Sequence, residues 1–144
     1  MSGGETLIRE AGAADAPQLV ELIRSLGHDV DAGGIAQRLG ALQISGIPQL
    51  VAVERDRVVG LCGLHEMTAI HRSQPVGRIT ILVVHEERRG RGIGRSLVAT
   101  AEAHLRRRGC GLVEITSNER LTDAHAFYEH LGYQRTSKRF ARQL

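Results

Sequence analysis

The residues best suited to do chemistry form a short run of arginines and glycines, Arg89-Gly90-Arg91-Gly92-Ile93-Gly94. The run lies directly between a β-rich apolar segment and a long helical pattern. At the start of a helix, unpaired backbone N–H groups and the positive end of the helix dipole attract an anion. The glycines let a ligand approach the backbone closely, and the arginines add positive charge around the same point. The sequence therefore predicts a phosphate-binding loop here.

Two well-known phosphate-binding motifs fit the spacing of this loop poorly. A dinucleotide-binding GxGxxG fingerprint starting at Gly90 requires glycine where Arg95 stands, and a P-loop requires GK followed by Ser or Thr where the chain has Arg95-Ser96. Glu114 lies about 20 residues beyond the loop, where an acid could bind a ribose, so a nicotinamide dinucleotide stays a minor alternative. A plain strand-to-helix turn is a further alternative, although three glycines alternating with arginines exceed what a turn requires.

The apolar pattern predicts the elements that must position the loop. Residues 79–84 are apolar on both faces, which is typical of a central strand, and helical spacing follows the loop from Ile93 to Leu105. The runs 49–53 and 58–64 flank a polar link and predict a hairpin. The whole order is β-α-α-β-β-β-α-β-α-β, with a last strand from Tyr133 onward. This order predicts an α/β fold with a mixed central β-sheet flanked by helices, in one domain over residues 1–144.

The ends of the first helix are also marked in the sequence. Asp15 is predicted to cap it, and Gln18 three residues later completes a capping-box pattern. One buried stripe is then predicted for Leu19, Leu22, Ile23 and Leu26, and Gly27 is predicted to end the helix.

Composition narrows the class of protein. A chain of 144 residues that is 42% hydrophobic can bury one core without disulfides. Neither a membrane-spanning stretch nor the layout of a signal peptide is present, so a cytoplasmic protein without a membrane partner is expected. Cys62 and Cys110 form no CxxC pair, and therefore no metal site or redox motif is predicted.

The basic residues leave a different class of function open. Of the 19 positive residues all but Lys138 are arginines, clustered at 88–95 and 106–108, although the formal net charge is only +3. Such clusters could make the domain a basic nucleic-acid-binding module. However, residues 106–108 end a predicted helix, where cations are ordinarily placed, and the aromatics are confined to the last fifth of the chain. A nucleic-acid partner is therefore not expected.

Two motifs make the chain resemble the Gcn5-related N-acetyltransferases. The run from Arg89 to Gly94 matches the [QR]-x-x-G-x-[GA] signature of that family. Residues 123–133, Asp-Ala-His-Ala-Phe-Tyr-Glu-His-Leu-Gly-Tyr, look like the later helix and turn of the family. The resemblance implies acetyl-coenzyme A (acetyl-CoA) as co-substrate and direct transfer of its acetyl group to a primary amine of a small molecule. A pseudoenzyme that only senses acetyl-CoA stays an alternative.

The resemblance also implies which residues contact acetyl-CoA. The pantetheine arm would pair with the backbone of the strand before the loop, and the pyrophosphate would lie on the loop's N–H groups. Tyr128 matches the family tyrosine that gives a proton to the departing sulfur, although its helical spacing is equally typical of a core aromatic. The implied acetyl-CoA contacts are Leu82, Val83, Val84, Arg89, Gly90, Arg91, Gly92, Ile93, Gly94, Arg95 and Asn118.

The base that deprotonates the amine is harder to place. Many members of the family carry a carboxylate on the central strand, but residues 79–84 contain no acid. The nearest titratable candidates are His65, Glu66 and His71, expected to flank the opening for the acceptor, although an ordinary exposed loop position would also account for each of them. The sequence does not name the acceptor. Dimers are common in the family, and nothing in the sequence fixes one here.

Overall fold

The computed structural model describes residues 5–117 and 121–144. The chain divides into two compact units, Met1–Glu114 and Ile115–Leu144. The first unit contains the glycine loop, defined as residues 89–95, and nearly all of the sheet. The second contains the last helix and the C-terminal tail. A single domain over residues 1–144 stays a prediction.

The elements follow the predicted order as far as the last helix. The strands are β1 (Leu7–Glu10), β2 (Leu50–Glu54), β3 (Arg57–Met67), β4 (Val76–Val84) and β5 (Leu112–Ile115). The helices are α1 (Ala16–Arg24), α2 (Ala32–Ile44), α3 (Ile93–Arg107) and α4 (Thr122–His130), with short 3₁₀ turns at Ala13–Asp15 and Glu86–Arg88. The strands form one sheet in the order β1-β2-β3-β4-β5. The predicted α/β fold class is confirmed.

The sheet is mixed. Strands β1 to β4 pair antiparallel with their neighbours, and β2 and β3 form the predicted hairpin. Its two-residue turn, Arg55 and Asp56, has φ angles of 49° and 65°, because the tight turns that match strand twist require positive φ at both positions. The Gly111 N–H donates to the Pro75 carbonyl at 3.1 Å. Arg78 and Glu114, which follow Pro75 and Gly111 by the same number of residues, also bind each other. Strands β4 and β5 therefore run parallel, joined through α3.

Helices cover both faces of the sheet. On one face, apolar residues of α1 and α2 pack in one cluster with Leu61 and Val83 of the central strands. On the other face, α3 lies so close that a Cβ at Gly77 would be 2.6 Å from the Leu105 side chain. Burial of both faces explains why β2, and β3 from Val58 to Leu64, read as nearly continuous apolar runs.

Two side chains at the start of α1 join elements instead of forming the predicted capping box. The Asp15 carboxylate accepts two hydrogen bonds of 2.8 Å from Arg9 and one of 2.8 Å from the Gly12 N–H. These bonds, led by those from Arg9, lower the pKa of Asp15 below its usual value. The Gln18 side chain accepts from the Val58 N–H at 2.8 Å. Asp15 therefore ties α1 to β1 and Gln18 ties α1 to β3, and the predicted capping box was wrong.

The second unit ends without the predicted last strand. Helix α4 closes at Gly132, whose φ is 97°, and the Tyr133 N–H bonds back to the Tyr128 carbonyl at 3.0 Å. Residues 133–144 form no strand, so that part of the predicted order was wrong. From Gln134 onward every residue is exposed, and the charged, polar tail lacks the alternating apolar positions that hold a strand on a core.

Among the described residues, no helix combines the length and the apolar character needed to cross a membrane.

Candidate active site

The glycine loop contains two glycines in a backbone conformation that other residues rarely adopt. After β4 ends, the chain passes through the 3₁₀ turn Glu86–Arg88 and enters α3 at Ile93. Gly90 and Gly92 have φ angles of 78° and 82°, in the left-handed region that favours glycine. A Cβ at either position would meet no heavy atom within 4 Å. The glycines are thus required by the backbone conformation, and the space beside them is open.

Beyond Arg89, the backbone donors of the loop have no partner in the described part of the chain. None of the N–H groups from Gly90 to Arg95 finds an acceptor there, and the first helical bond runs from the Ser96 N–H to the Gly92 carbonyl at 3.0 Å. Helix α3 is 15 residues long, so its dipole adds a positive potential at the same end. This combination of free donors and positive potential suits an anion.

The arginines around the loop fall into three groups. The Arg88 guanidinium donates to Glu54 at 2.7 Å, so its charge is neutralised and it fastens the 3₁₀ turn to β2. The Arg89 Nε donates to the Val84 carbonyl at 3.3 Å and braces the loop against the end of β4. Arg91 and Arg95 are exposed and have no hydrogen-bond or ion-pair partner among the described residues. Two guanidinium groups therefore remain available to a ligand.

Polar side chains of His85, Glu87 and Arg57 hold the 3₁₀ turn in place. The His85 Nδ1 accepts from the Glu87 N–H at 3.2 Å, and the His85 Nε2 lies 2.9 Å from Arg57. Arg57 also lies 3.7 Å from the Glu87 carboxylate. These contacts join the segment before the loop to the start of β3.

Strand β4 carries a β-bulge at Thr80, within its pairing with β3. Gly63 of β3 faces Ile81, but Leu64 faces Ile79, so Thr80 has no partner across the pair. Next to the bulge, the side chain of Gln49 accepts from the Leu64 N–H and donates to the Leu64 carbonyl, both at 2.9 Å, and so binds the backbone of β3. A bulge of this kind bends and twists its strand.

Leu82, Val83 and Val84 lie between this bulge and the glycine loop. The Val83 side chain is buried in the core with α1 and α2, and the other two are half-buried. The buried Val83 side chain is therefore closed to a ligand, which leaves its backbone for the predicted contact. That role stays a prediction.

The three base candidates occupy different surroundings. His65 faces Arg78 across the β3–β4 pair and is exposed. Glu66 faces Gly77, on the side of the sheet that α3 covers, and Arg108 binds its carboxylate. His71 lies in the loop between β3 and β4. His65 and Glu66 lie on opposite faces of the sheet, and all three candidates lie toward the start of β4, away from the glycine loop.

The His71 loop lines a cavity of about 280 Å³ at the start of β4 and β5. Its wall consists of His71, Arg72, Ser73, Gln74, Pro75, Val76, Gly111 and Leu112.

An ion pair that the sequence did not reveal links β4 to β5. The Arg78 Nε donates to the Glu114 Oε1 at 2.9 Å, and the Arg78 Nη2 binds the same oxygen. Because Glu114 is engaged with Arg78, it is poorly placed to act as the ribose-binding acid of a nicotinamide site. The two residues are 36 positions apart, and only the parallel pairing of their strands brings them into contact.

In the second unit, Tyr128 belongs to an aromatic cluster. Its ring packs edge-on against Phe127 at 5.5 Å and Tyr133 at 6.2 Å between centroids, and the side chain is half-buried. This packing agrees with a core aromatic as well as with a catalytic one, so its role stays a prediction. Asn118 lies outside the described residues.

Comparison with known proteins decides the family. Residues 34–133 match the model of the acetyltransferase (GNAT) family, and this match covers more than half of the chain. The chain belongs to the GNAT acetyltransferase family. The resemblance seen in the sequence is thereby confirmed, and acetyltransferase activity follows at the level of the family. No curated protein matches the chain significantly.

Solved structures agree with the GNAT fold over almost the whole chain. A Trypanosoma brucei acetyltransferase is 25% identical with a TM-score of 0.83, covering 97% of this chain and 100% of its own. Glucosamine-6-phosphate N-acetyltransferase from Arabidopsis thaliana is 20% identical with a TM-score of 0.85, covering 97% and 99%. Ribosomal-protein-alanine N-acetyltransferase from Brucella melitensis is 18% identical with a TM-score of 0.81, covering 97% and 99%. The last two share the fold alone.

Proposed function

We propose that this GNAT protein transfers the acetyl group of acetyl-CoA to a primary amine of a small molecule. The observation that carries the proposal is the run of unpartnered N–H groups from Gly90 to Arg95 at the start of α3, beside the free guanidinium groups of Arg91 and Arg95. A pyrophosphate has the charge and the acceptor oxygens that these donors lack. The open space beside Gly90 and Gly92 admits such a group.

In this proposal acetyl-CoA supplies the acetyl group as a thioester, and the chain binds and orients it. The glycine loop holds the pyrophosphate, and the backbone of Leu82 to Val84 is the expected contact of the pantetheine arm. The bulge at Thr80 interrupts the regular ladder of β4 at the far end of that contact. The thioester would lie in this direction along the strand, away from the loop.

Of the three base candidates, the surroundings favour His65. An amine must lose a proton to attack a thioester, and an imidazole exchanges protons near neutral pH. His65 is exposed and has no partner among the described residues, so it is free to take a proton. Glu66 would first have to give up Arg108. Tyr128 is the proposed proton donor to the departing sulfur, as the resemblance implies.

The acceptor is proposed as a small molecule because of three short segments that look most like the small-molecule-acetylating members of the family: Leu26-Gly27-His28, Gly77-Arg78-Ile79 and the run from Asp123 to Tyr128. The names of the fold neighbours include a sugar phosphate and a ribosomal protein as acceptors. At 20% and 18% identity these carry no acceptor over to this chain. Neither a nucleic acid nor a membrane enters this proposal.

Acetyl-CoA binding and turnover test the proposal directly. At 100 times its dissociation constant, a ligand that binds only the folded state stabilises it by about 2.7 kcal/mol, which is a rise in melting temperature of roughly 5–10 °C at this chain length. We expect this rise with acetyl-CoA, and thiol release when a panel of amines, amino acids, polyamines and peptides is added. Salt-sensitive binding to nucleic acid without a response to acetyl-CoA would favour the binding module. Stabilisation without thiol release from any acceptor would favour a sensor.

The base is tested by the pH dependence of kcat/KM in three matched variants, His65→Gln, Glu66→Gln and His71→Gln. We expect His65→Gln alone to lose the limb that rises on the acid side of neutrality, with acetyl-CoA affinity unchanged. If all three variants keep the parent profile, none of these residues is the base. The rate would then follow the neutral fraction of each amine in solution.

A further inference from the structure

The Arg78–Glu114 pair is only half satisfied. Both contacting nitrogens of Arg78, Nε and Nη2, bind the same carboxylate oxygen, Glu114 Oε1. The Arg78 Nη1 and the Glu114 Oε2 have no partner among the described residues. The side chains are 41% and 36% exposed, so both free groups can be reached from solvent. The pair therefore leaves one donor on the cation and one acceptor on the anion without a partner among the described residues.

Three strands contribute to a polar row on one face of the sheet. Gly77 faces Leu105 of α3, so Arg78, the next residue of β4, lies on the opposite face. His65 faces Arg78 directly across the antiparallel pair, and side chains so paired share a face. Glu114 of β5 completes the row through its bond to Arg78. The proposed base is thus the immediate neighbour of this ion pair.

We propose that Arg78 and Glu114 bind the acceptor, and that the acceptor carries an acidic group, a carboxylate or a phosphate, in addition to its amine. This inference rests on the proposed function. The ammonium group binds the Glu114 Oε2 and the acidic group binds the Arg78 Nη1, so the existing bond between the two residues is kept. His65, the proposed base, lies on the same face of the sheet, across Arg78 from Glu114, and would take the proton of the ammonium before the amine attacks.

Charge complementarity favours such an acceptor over a plain amine. A plain ammonium group is attracted by Glu114 but repelled by Arg78, which is bonded to Glu114, so the repulsion offsets part of the attraction. An acceptor with both charges matches both partners, and bonds between charged groups are the stronger kind.

A purely structural role accounts for less of the geometry. Exposed ion pairs contribute little to stability, and the Gly111 N–H already ties β5 to β4 through Pro75. A pair that only held the two strands together would not need to leave the Arg78 Nη1 and the Glu114 Oε2 without partners in the described part of the chain.

The inference is tested with matched acceptors that differ only in the acidic group. Ethanolamine is compared with phosphoethanolamine, and propylamine with β-alanine, so the phosphate and carboxylate sources are measured separately. We expect kcat/KM to be at least about tenfold higher for one or both anionic members, since a single charged hydrogen bond is worth about that much. Arg78→Gln should remove this preference by raising the acceptor KM, while the KM for acetyl-CoA stays unchanged. Arg78→Lys, which keeps the charge, should keep part of the preference for the anionic acceptors.

Two controls separate this role from a general loss of structure. Arg106→Gln removes an exposed arginine elsewhere on the first unit and should leave the preference unchanged. Circular dichroism and the melting temperature show whether the Arg78 variants remain folded. If Arg78→Gln does not fold, the acceptor preference is measured in Arg78→Lys instead.

The outcomes that overturn the inference are distinct from those that overturn the function. Acetyl-CoA-dependent turnover with equal kcat/KM for anionic and neutral acceptors, or an unchanged preference in folded Arg78→Gln, overturns the inference alone. Failure of the parent protein to bind acetyl-CoA or release its thiol overturns the proposed function, and this inference with it.

Discussion

Replacing Gly92 with aspartate should weaken acetyl-CoA binding while the protein stays folded. A Cβ at this position meets no atom within 4 Å, so no clash is created. The φ angle of 82° costs an ordinary side chain about 1 kcal/mol, but Asp and Asn adopt this region more readily than other residues. Gly92 is also the N-cap of α3, where Asp and Asn are favoured. We therefore expect a change in unfolding free energy within about 1 kcal/mol.

The effect on binding follows from Coulomb's law. A carboxylate about 4 Å from a phosphate charge costs about 1 kcal/mol in bulk water and about 4 kcal/mol at the effective dielectric of a protein surface. Since 1.36 kcal/mol is a factor of ten, the dissociation constant should rise between about fivefold and about a thousandfold. The new carboxylate would also compete for the free N–H groups of the loop, which adds to the loss.

Gly92→Asn is the matched control, because it has the same shape without the charge. Calorimetric titration with acetyl-CoA should give a clearly weaker affinity for the Asp variant than for the Asn variant. The difference should shrink between 0.1 M and 1 M salt, as the Debye length falls from about 10 Å to about 3 Å. Parent affinity in both folded variants would remove the glycine loop from the site and refute the reasoning.

Three further predictions concern other parts of the chain. Tyr128→Phe should keep the fold and the acetyl-CoA affinity but lower kcat by a factor of about 10² to 10⁴. A kcat within about twofold of the parent would show that Tyr128 is a core aromatic and not the proton donor. Asp15→Asn should lower the unfolding free energy at pH 7 by roughly 1–3 kcal/mol, measured with urea. Arg9 lowers the pKa of Asp15, so the stabilisation that Asp15 gives is complete above its unfolded-state pKa of about 3.9 and is lost as the pH falls through its lower folded-state pKa. The unfolding free energies of parent and variant should therefore converge between about pH 5 and pH 2. Cys62 is fully buried, and burial raises the pKa of its thiol to about 12. A thiol reagent should therefore label one cysteine, the partly exposed Cys110, in the folded protein and two after denaturation, and two labels before denaturation would contradict the burial of Cys62.

The sequence by itself determined the features that depend on neighbouring residues. The glycine loop could be located because its glycines and arginines are contiguous and directly precede a periodic helix. Its left-handed φ angles and free N–H groups are then local consequences of that order. The hairpin and α3 were predictable for the same reason, since periodicity and turn chemistry act over a few residues.

Tertiary structure decided which charges are free and which are engaged. Four arginines stand close together in sequence, yet Arg88 is neutralised by Glu54 from another strand while Arg91 and Arg95 are left without partners among the described residues. In the same way, Arg108 engages Glu66, one of the base candidates.

The absence of the last predicted strand and the Arg78–Glu114 pair were also decided by tertiary structure. Tyr133 opens a segment that could have been extended, but a strand forms only where a neighbouring strand and a core accept it, and the exposed tail after it meets neither condition. Arg78 and Glu114 lie 36 positions apart, and their bond exists because α3 returns the chain to pair β5 parallel with β4. Local conformation is encoded within a few residues, whereas the pairing of charges depends on which distant segments the fold brings together.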